Sequence, residues 1–334
     1  ASSVLFILYI INLKNLIMKH SVIFMGTPDF AVASLNALLD NNIDVKAVIT
    51  SPDRPAGRGQ KIAMSAVKEF ALSKDIQVLQ PTNLKDDAFI ASLKDLNASL
   101  FVVVAFRMLP EIVWAMPELG TINLHGSLLP QYRGAAPINW AVINGEEQTG
   151  ASTFFIEKEI DTGKIIDSIK VTIGPNDTAG IVHDKLMIQG AQLLAKSVQE
   201  IFEGKVNAIA QDNSTLTDLQ KHAPKIFKPD CKIDWNNTSE TIHNKIRGLS
   251  PYPTAWTEIV NDTQKKSLKL FHSEIVNDSK LEVGQVTVAE NELFIGTNNG
   301  SIKIIELQLE GKKKMKTSDF LKGFKFEEWQ IIKK

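Results

Sequence analysis

The chain has 334 residues, of which 44% are hydrophobic and 22% are charged, which is typical of a globular protein of about two domains. This composition excludes a disordered, collagen-like or coiled-coil chain, and a formal net charge of -1 gives no overall attraction to polyanions. The single cysteine, Cys231, excludes an intrachain disulfide framework and a thiolate metal cage.

The first segment carries an apolar run, VLFILYII, at residues 4–11. This run is too short for a membrane span, which needs about 20 residues. It also lacks the preceding basic stretch of a signal peptide, and no basic, serine-rich transit segment is visible. Met18 then opens a segment that reads as the start of a first strand. We therefore expect residues 1–17 to be a non-native or over-extended segment, and the protein to be cytoplasmic.

Short apolar runs alternate with helical spacing through residues 18–204. The predicted strands are Ser21–Met25, Asp44–Thr50, Ile76–Leu79, Ser99–Ala105, Thr121–His125, Ala151–Glu157 and Lys164–Val171. Helices are predicted over Asp29–Leu39 and Thr178–Phe202. Continuously apolar strands alternating with helices are typical of a sheet covered on both faces. The predicted fold is a doubly wound, mostly parallel, Rossmann-like α/β domain.

The periodicity fades over residues 205–228, which we interpret as a linker. Residues 229–334 then hold short apolar runs separated by Asn, Asp, Gly and Ser turns. The predicted strands there are Thr254–Val260, Leu268–His272, Gly284–Val288, Leu293–Gly296 and Ile302–Leu309. Several short strands at this spacing favour a small β-barrel or sandwich as the C-terminal domain.

Residues near the ends of three predicted strands are candidates for a catalytic or binding role. Gly26, after the first strand, suits either an anion site at a helix N-terminus or a tight turn, and the full dinucleotide fingerprint is lacking. Asn123 and His125 share one face of a strand, where they would stabilise an oxyanion and move a proton. A structural, hydrogen-bonded histidine is the alternative. Asp161, in a D-T-G turn, suits either an imidazole partner or ordinary turn chemistry.

These segments together resemble a known family. The runs NLHGSLLPQYRGAAPI (residues 123–138) and DTG (161–163) resemble the 10-formyltetrahydrofolate-dependent formyltransferases. The runs GTPDFA (26–31) and SPDRPAGRGQK (51–61) narrow the resemblance to the branch that formylates methionine on initiator tRNA. The resemblance extends from Lys19 to about Lys322.

The resemblance implies a set of roles. The catalytic residues would be Asn123, His125 and Asp161. The folate pocket would include Ser127, Leu128, Leu129 and Pro130. The co-substrate would be 10-formyltetrahydrofolate, and no metal is expected because no cluster has ligand spacing. The C-terminal domain would be an OB-like barrel that docks tRNA.

Basic residues in two regions are candidate tRNA contacts. The loop 51–65 carries Arg54, Arg58 and Lys61. The resemblance implies that this loop enters the acceptor stem of the tRNA, and the alternative is a solvated surface loop. Lys312, Lys313 and Lys314 form a local basic run that suits phosphates. The implied partners are initiator methionyl-tRNA and the folate. No membrane partner is expected, and the protein is expected to be a monomer.

Two other functions stay open. A sugar-nucleotide N-formyltransferase would share the three catalytic residues but not the basic loop. A catalytically idle module that binds tRNA or folate is disfavoured by the intact trio. One departure from the family pattern is Phe106-Arg107, where many relatives carry Tyr-Gly.

Overall fold

The computed structural model describes residues 20–56, 61–212, 221–277 and 279–333. The predicted N-terminal segment 1–17 and Arg58 lie outside the described residues. The chain divides into two compact units. The first comprises residues 1–130, 151–169 and 186–214, and the second comprises residues 131–150, 170–185 and 215–334.

A seven-stranded sheet organises the N-terminal half, in the order β10-β9-β7-β6-β1-β2-β5. Its strands are β1 (Ser21–Gly26), β2 (Asp44–Ile49), β5 (Gln77–Leu79), β6 (Leu100–Val104), β7 (Thr121–His125), β9 (Gln148–Phe155) and β10 (Ile165–Thr172). A separate hairpin pairs β3 (Arg54–Ala56) with β4 (Lys61–Ala63). The strands β5, β2, β1, β6 and β7 are parallel, and β9 pairs antiparallel with β7.

The two central strands explain why the sheet is doubly covered. Every residue of β1 and β6 is buried. Neither strand therefore alternates between buried and solvent-exposed side chains. Such continuously apolar strands require helices on both faces. The Rossmann-like prediction is therefore confirmed, with one antiparallel strand beside β7.

The helices begin and end where local chemistry favours it. They are α1 (Asp29–Asp40), α2 (Ala66–Ser73), α3 (Asp87–Leu96), α4 (Glu111–Trp114), α5 (Pro137–Ile143), α6 (Ala179–Phe202), α7 (Ser239–Gly248) and α8 (Thr317–Phe320). The side chain of Asp86 caps α3 by accepting a hydrogen bond from the amide of Phe89 at 3.0 Å, and Asn97 ends that helix in the left-handed region.

Among the described residues, none of the helices is apolar over a stretch long enough to cross a membrane.

A second, antiparallel sheet organises the C-terminal half, in the order β14-β15-β16-β13-β12-β18, with β17 paired to β16. Its strands are β12 (Ala255–Val260), β13 (Lys265–Val276), β14 (Val286–Ala289), β15 (Glu292–Gly296), β16 (Ser301–Leu309), β17 (Met315–Lys316) and β18 (Gln330–Ile331). The sheet curls into a half-barrel around a core that includes Trp235, Leu268 and Ile302. The small C-terminal β-domain that the sequence predicts is confirmed in this form.

The second unit also contains a two-stranded pairing and a helix pair. Strand β8 (Arg133–Gly134) lies parallel to β11 (His222–Ala223). Helices α5 and α7 approach closely, because a Cβ on Gly248 would lie 2.5 Å from Cγ1 of Ile143. Residues 131–150 therefore pack with later parts of the chain.

Candidate active site

Strand β7 places an amide and an imidazole on one face. In the pairing with β9, Asn123 lies opposite Phe154 and His125 lies opposite Ser152. Residues two apart on a strand project to the same side. His125 is buried and Asn123 is half-buried, so the pair lies at the partly accessible carboxyl end of a strand that is parallel to β6.

Asp161 lies beside His125. Its Oδ2 is 3.8 Å from Nδ1 of His125, and the side chains of the histidine and aspartate are only 7% and 12% exposed. This distance is too long for a direct hydrogen bond between the two atoms. The ring of Phe154 meets the imidazole edge-on at 6.5 Å. The carboxylate of Asp161 and the ring of Phe154 thus both lie against the imidazole of His125.

The loop that carries Asp161 has a demanding backbone. Asp161 itself has φ 55, in the left-handed region, which is unfavourable for most side chains but tolerated by aspartate. A Cβ on Gly163 would lie 1.7 Å from the carbonyl oxygen of Phe155. Only glycine fits at that position, so the D-T-G sequence is explained by close backbone packing.

A side chain that the sequence analysis missed contacts this loop. The Nε2 of Gln211 donates hydrogen bonds to the carbonyl oxygens of Asp161 and Gly163, both at 2.8 Å. Gln211 lies in the segment predicted to be a linker, where no local pattern marks it as functional.

The segment 127–130 is fixed by a second residue that the analysis missed. Ser152 Oγ donates to the carbonyl oxygen of Ser127 at 2.8 Å and accepts from the amide of Leu129 at 3.2 Å. Ser127 and Leu129 are buried, whereas Leu128 and Pro130 are partly exposed. The predicted folate segment thus has a fixed backbone and an accessible apolar edge.

Gly26 is explained by packing. A Cβ there would lie 2.6 Å from Cβ of Ala31 and 3.0 Å from the carbonyl oxygen of Val104. Glycine lets α1 and β6 approach β1 closely, which favours the turn interpretation over the anion site.

The basic loop is only partly described. Arg54 is exposed on β3. Lys61 is described as a β4 backbone position only. Lys68 and Gln80 hydrogen-bond to the preceding Asp53 carboxylate and hold the pKa of that group below its usual value. The base of the loop is thereby tied to α2.

Arg107, a further arginine of the first unit, lies after β6. The guanidinium of Arg107 donates to the carbonyl oxygens of Thr82, at 3.0 Å, and Pro81. Burial, and then the charge of Arg54, lower the pKa of Arg107.

The predicted basic run in the second unit is exposed. Lys312 and Lys313 are on the surface. Lys314 pairs with Glu306 at 2.9 Å and lies 4.8 Å from the ring centroid of Phe271. The ammonium groups of Lys312 and Lys313 are therefore better candidates for a phosphate contact than that of Lys314, which is already paired.

The second unit also presents a lysine-rich recess of about 610 Å³ that the sequence analysis missed. Its lining includes Trp256, Lys228, Lys266 and Lys269. The ammonium of Lys228 lies 6.0 Å from the ring centroid of Trp256. Aromatic rings interleaved with cations are typical of nucleic-acid surfaces. Lys266 and Lys269 lie together on β13, whereas Lys228 and Trp256 come from other segments, so no single run of sequence reveals the recess.

Comparison with known proteins shows the protein family to which the chain belongs. Residues 18–198 match the family model of formyl transferases, and residues 225–325 match the model of the formyl transferase C-terminal domain. The chain therefore belongs to the formyl transferase family, as the sequence resemblance predicts.

Curated relatives narrow this class. A methionyl-tRNA formyltransferase of Bacteroides thetaiotaomicron is 49% identical over 310 residues, which cover 92% of this chain and 96% of the relative. One of Azobacteroides pseudotrichonymphae is 52% identical over 315 residues, covering 91% and 96%. Both proteins thus align with this chain through nearly their whole length.

Solved structures share the fold at lower identity. The sugar 3N-formyl transferase WlaRD, in the presence of dTDP and 5-N-formyl-THF, superposes with a TM-score of 0.63 at 23% identity, covering 88% of this chain and 99% of that one. HypX of Aquifex aeolicus superposes with a TM-score of 0.62 at 19% identity, covering 92% and 48%. At these identities the likeness supports the fold alone.

Proposed function

We infer that this protein transfers the formyl group of 10-formyltetrahydrofolate to the α-amino group of methionine esterified to initiator tRNA. The observation that carries the proposal is the meeting of Asn123, His125 and Asp161 at the carboxyl end of β7. An amide and an imidazole can stabilise an oxyanion, and a carboxylate can accept a proton, which are the two tasks of acyl transfer to an amine. The high identity to methionyl-tRNA formyltransferases over nearly the whole chain supports this acceptor.

Asn123 and His125 would stabilise the transition state. When the amine attacks the formyl carbon, negative charge develops on the formyl oxygen. Asn123 and His125 project to one side of β7 and would donate hydrogen bonds to that oxygen. Removing one such donor costs about 3 kcal/mol of barrier in comparable sites.

Asp161 would act on the proton that the amine loses. Its Oδ2, 3.8 Å from Nδ1 of His125, would hold the imidazole in orientation. The same carboxylate would accept the amine proton, directly or through a water, and relay it toward the folate nitrogen that leaves.

The folate segment fits a planar co-substrate. Ser152 engages the carbonyl of Ser127 and the amide of Leu129, so the backbone is fixed before binding. The partly exposed side chains of Leu128 and Pro130 offer an apolar edge to a ring system. We propose that these residues orient the co-substrate next to His125.

The tRNA would be held by phosphate contacts. We propose that Arg54, Arg58 and Lys61 contact the acceptor end. The basic run Lys312–Lys314 and the lysine-rich recess would contact the backbone. We further propose that the protein acts in the cytoplasm and that it is a monomer. Size-exclusion chromatography with light scattering would test the monomeric state.

The decisive experiment compares three acceptors with 10-formyltetrahydrofolate as donor: charged initiator tRNA, charged elongator tRNA and an amino-sugar nucleotide. Rapid transfer to charged initiator tRNA is expected. Preference for the amino-sugar nucleotide would establish the alternative enzyme, and tight binding without transfer would establish an idle module.

Variants then test the site. His125→Ala and Asp161→Ala are expected to lower kcat by at least about 100-fold. The ion pair of His183 and Asp184 on α6 supplies matched controls, because His183→Ala and Asp184→Ala remove the same groups from residues outside the proposed catalytic trio. Turnover of both site variants at the level of these controls would refute the assignment.

A further inference from the structure

We propose that Gln211 is a positioning residue for the formyl transfer, and that its amide fixes the Asp161 carboxylate beside His125. The inference rests on the proposed function, since it assigns a role to a side chain outside the catalytic trio. Gln211 is only 9% exposed. It lies after α6, in a segment without regular secondary structure.

The geometry is that of a clamp. One nitrogen, Nε2 of Gln211, donates to the carbonyl oxygens of Asp161 and Gly163, both at 2.8 Å. An amide nitrogen carries two protons, so both are used on the same turn. The two carbonyls lie on either side of Thr162, and the clamp therefore fixes the backbone of the whole D-T-G turn.

The backbone near Gln211 is itself anchored. Ile209 and Ile165 exchange two backbone hydrogen bonds, each of 2.8 Å. Ile165 is the first residue of β10, directly after the D-T-G-K run. The glutamine is thus held in register with the loop it contacts, which a chance contact of a surface linker would not provide.

The D-T-G loop contains a backbone conformation that needs stabilisation. Asp161 has φ 55, a backbone conformation that costs free energy for a residue with a side chain. Hydrogen bonds to the carbonyls on both sides of Thr162 offset that cost and select one loop conformation. Without them, the carboxylate would sample positions away from Nδ1 of His125.

The expected effect is on turnover. Gln211 contacts the backbone of the loop, so its loss should misplace the carboxylate and leave substrate affinity nearly unchanged. A misplacement of about 1 Å at a reacting group lowers rates by up to about 100-fold. The chemistry of Asp161 itself is retained, so the loss should be smaller than that in Asp161→Asn.

The test is a double-mutant cycle that measures the single-turnover rate at saturating 10-formyltetrahydrofolate and charged initiator tRNA, and KM for tRNA from steady-state rates at varied tRNA. Gln211→Glu keeps the shape and replaces the donor by oxygen. Gln199→Glu, at an exposed position on α6, is the matched control. We expect Gln211→Glu to lower the rate by about 10- to 100-fold with KM for tRNA within about twofold, and to add no loss in the Asp161→Asn background.

Several results would overturn the inference. They are a Gln211→Glu rate equal to that of Gln199→Glu, or losses that multiply in the double variant. A crystal structure of Gln211→Glu with Oδ2 of Asp161 still at its original distance from His125 would also contradict it. If the Glu variant does not fold, Gln211→Met removes the donors without adding charge and is subject to the same criteria. A wild-type protein without transfer activity would refute the proposed function instead.

Discussion

Gly163→Ala is the sharpest test of the loop geometry at the site. The added Cβ would lie 1.7 Å from the carbonyl oxygen of Phe155. Normal contact between carbon and oxygen requires the two to separate by roughly a further 1.5 Å. Because Asp161 lies two residues earlier in the same turn, this displacement should carry its carboxylate away from His125.

The magnitude follows from that shift. The carboxylate starts 3.8 Å from Nδ1 of His125, and a move of more than 1 Å at such a group lowers kcat by about 100-fold. Overpacking should also lower the free energy of unfolding by about 1–3 kcal/mol.

The assay is steady-state formyl transfer to charged initiator tRNA, combined with urea unfolding of the same preparations. Gly323→Ala is the control, because a Cβ there meets no atom within 4 Å. A folded Gly163→Ala protein with kcat within twofold of the control would refute the reasoning, since the loop would then tolerate the displacement without catalytic cost.

Three further predictions concern the second unit. Gly248→Ala places a Cβ 2.5 Å from Cγ1 of Ile143 and should lower the free energy of unfolding by about 1–3 kcal/mol; a urea midpoint equal to wild type would contradict this. Replacing Lys312–Lys314 by alanine should make the slope of log affinity for tRNA against log salt shallower by about 2–3 units, as measured by filter binding, and an unchanged slope would exclude a contact. Burial lowers the pKa of His243 below its ordinary 6.5, so the unfolded chain binds the proton more readily and stability is lost as pH falls below 6.5. His243→Gln should therefore reduce the fall in Tm between pH 7 and pH 5, and an equal fall in both proteins would refute the assignment.

The strands were predictable where burial is complete. The segments β1 and β6 consist mostly of apolar residues because helices cover both faces of the sheet, so composition alone marks them. The hydrophobic pattern does not reveal α7, because its buried positions include His243, Asn244 and Arg247. The guanidinium of Arg247 is satisfied by hydrogen bonds to Asn244 and to the backbone of residue 177. A polar face of this kind looks solvent-exposed until its partners are known.

The site divides in the same way. Strand periodicity predicts that Asn123 and His125 lie on one face of a strand, whereas the grouping of Asp161 with them was implied by the resemblance to the formyltransferases. Gln211 and Ser152 were not predictable, since each acts through contacts with backbone atoms from distant parts of the chain. Backbone acceptors leave no trace in the sequence of the segment that carries them, so such supports become visible only in three dimensions.

The grouping of residues 131–150 with the second unit bears on how the gene could be cut or recombined. Helix α5 is tied to later segments, since Trp140 Nε1 donates to the carbonyl oxygen of Pro224 and Asn139 Nδ2 to that of Gly248, both at 2.8 Å. A fragment stopped near residue 204 would strip this helix of those acceptors. Chimaeras between homologues joined at that point would pair mismatched surfaces, so a crossover that keeps residues 131–150 and the C-terminal third from one parent is the one expected to yield folded hybrids.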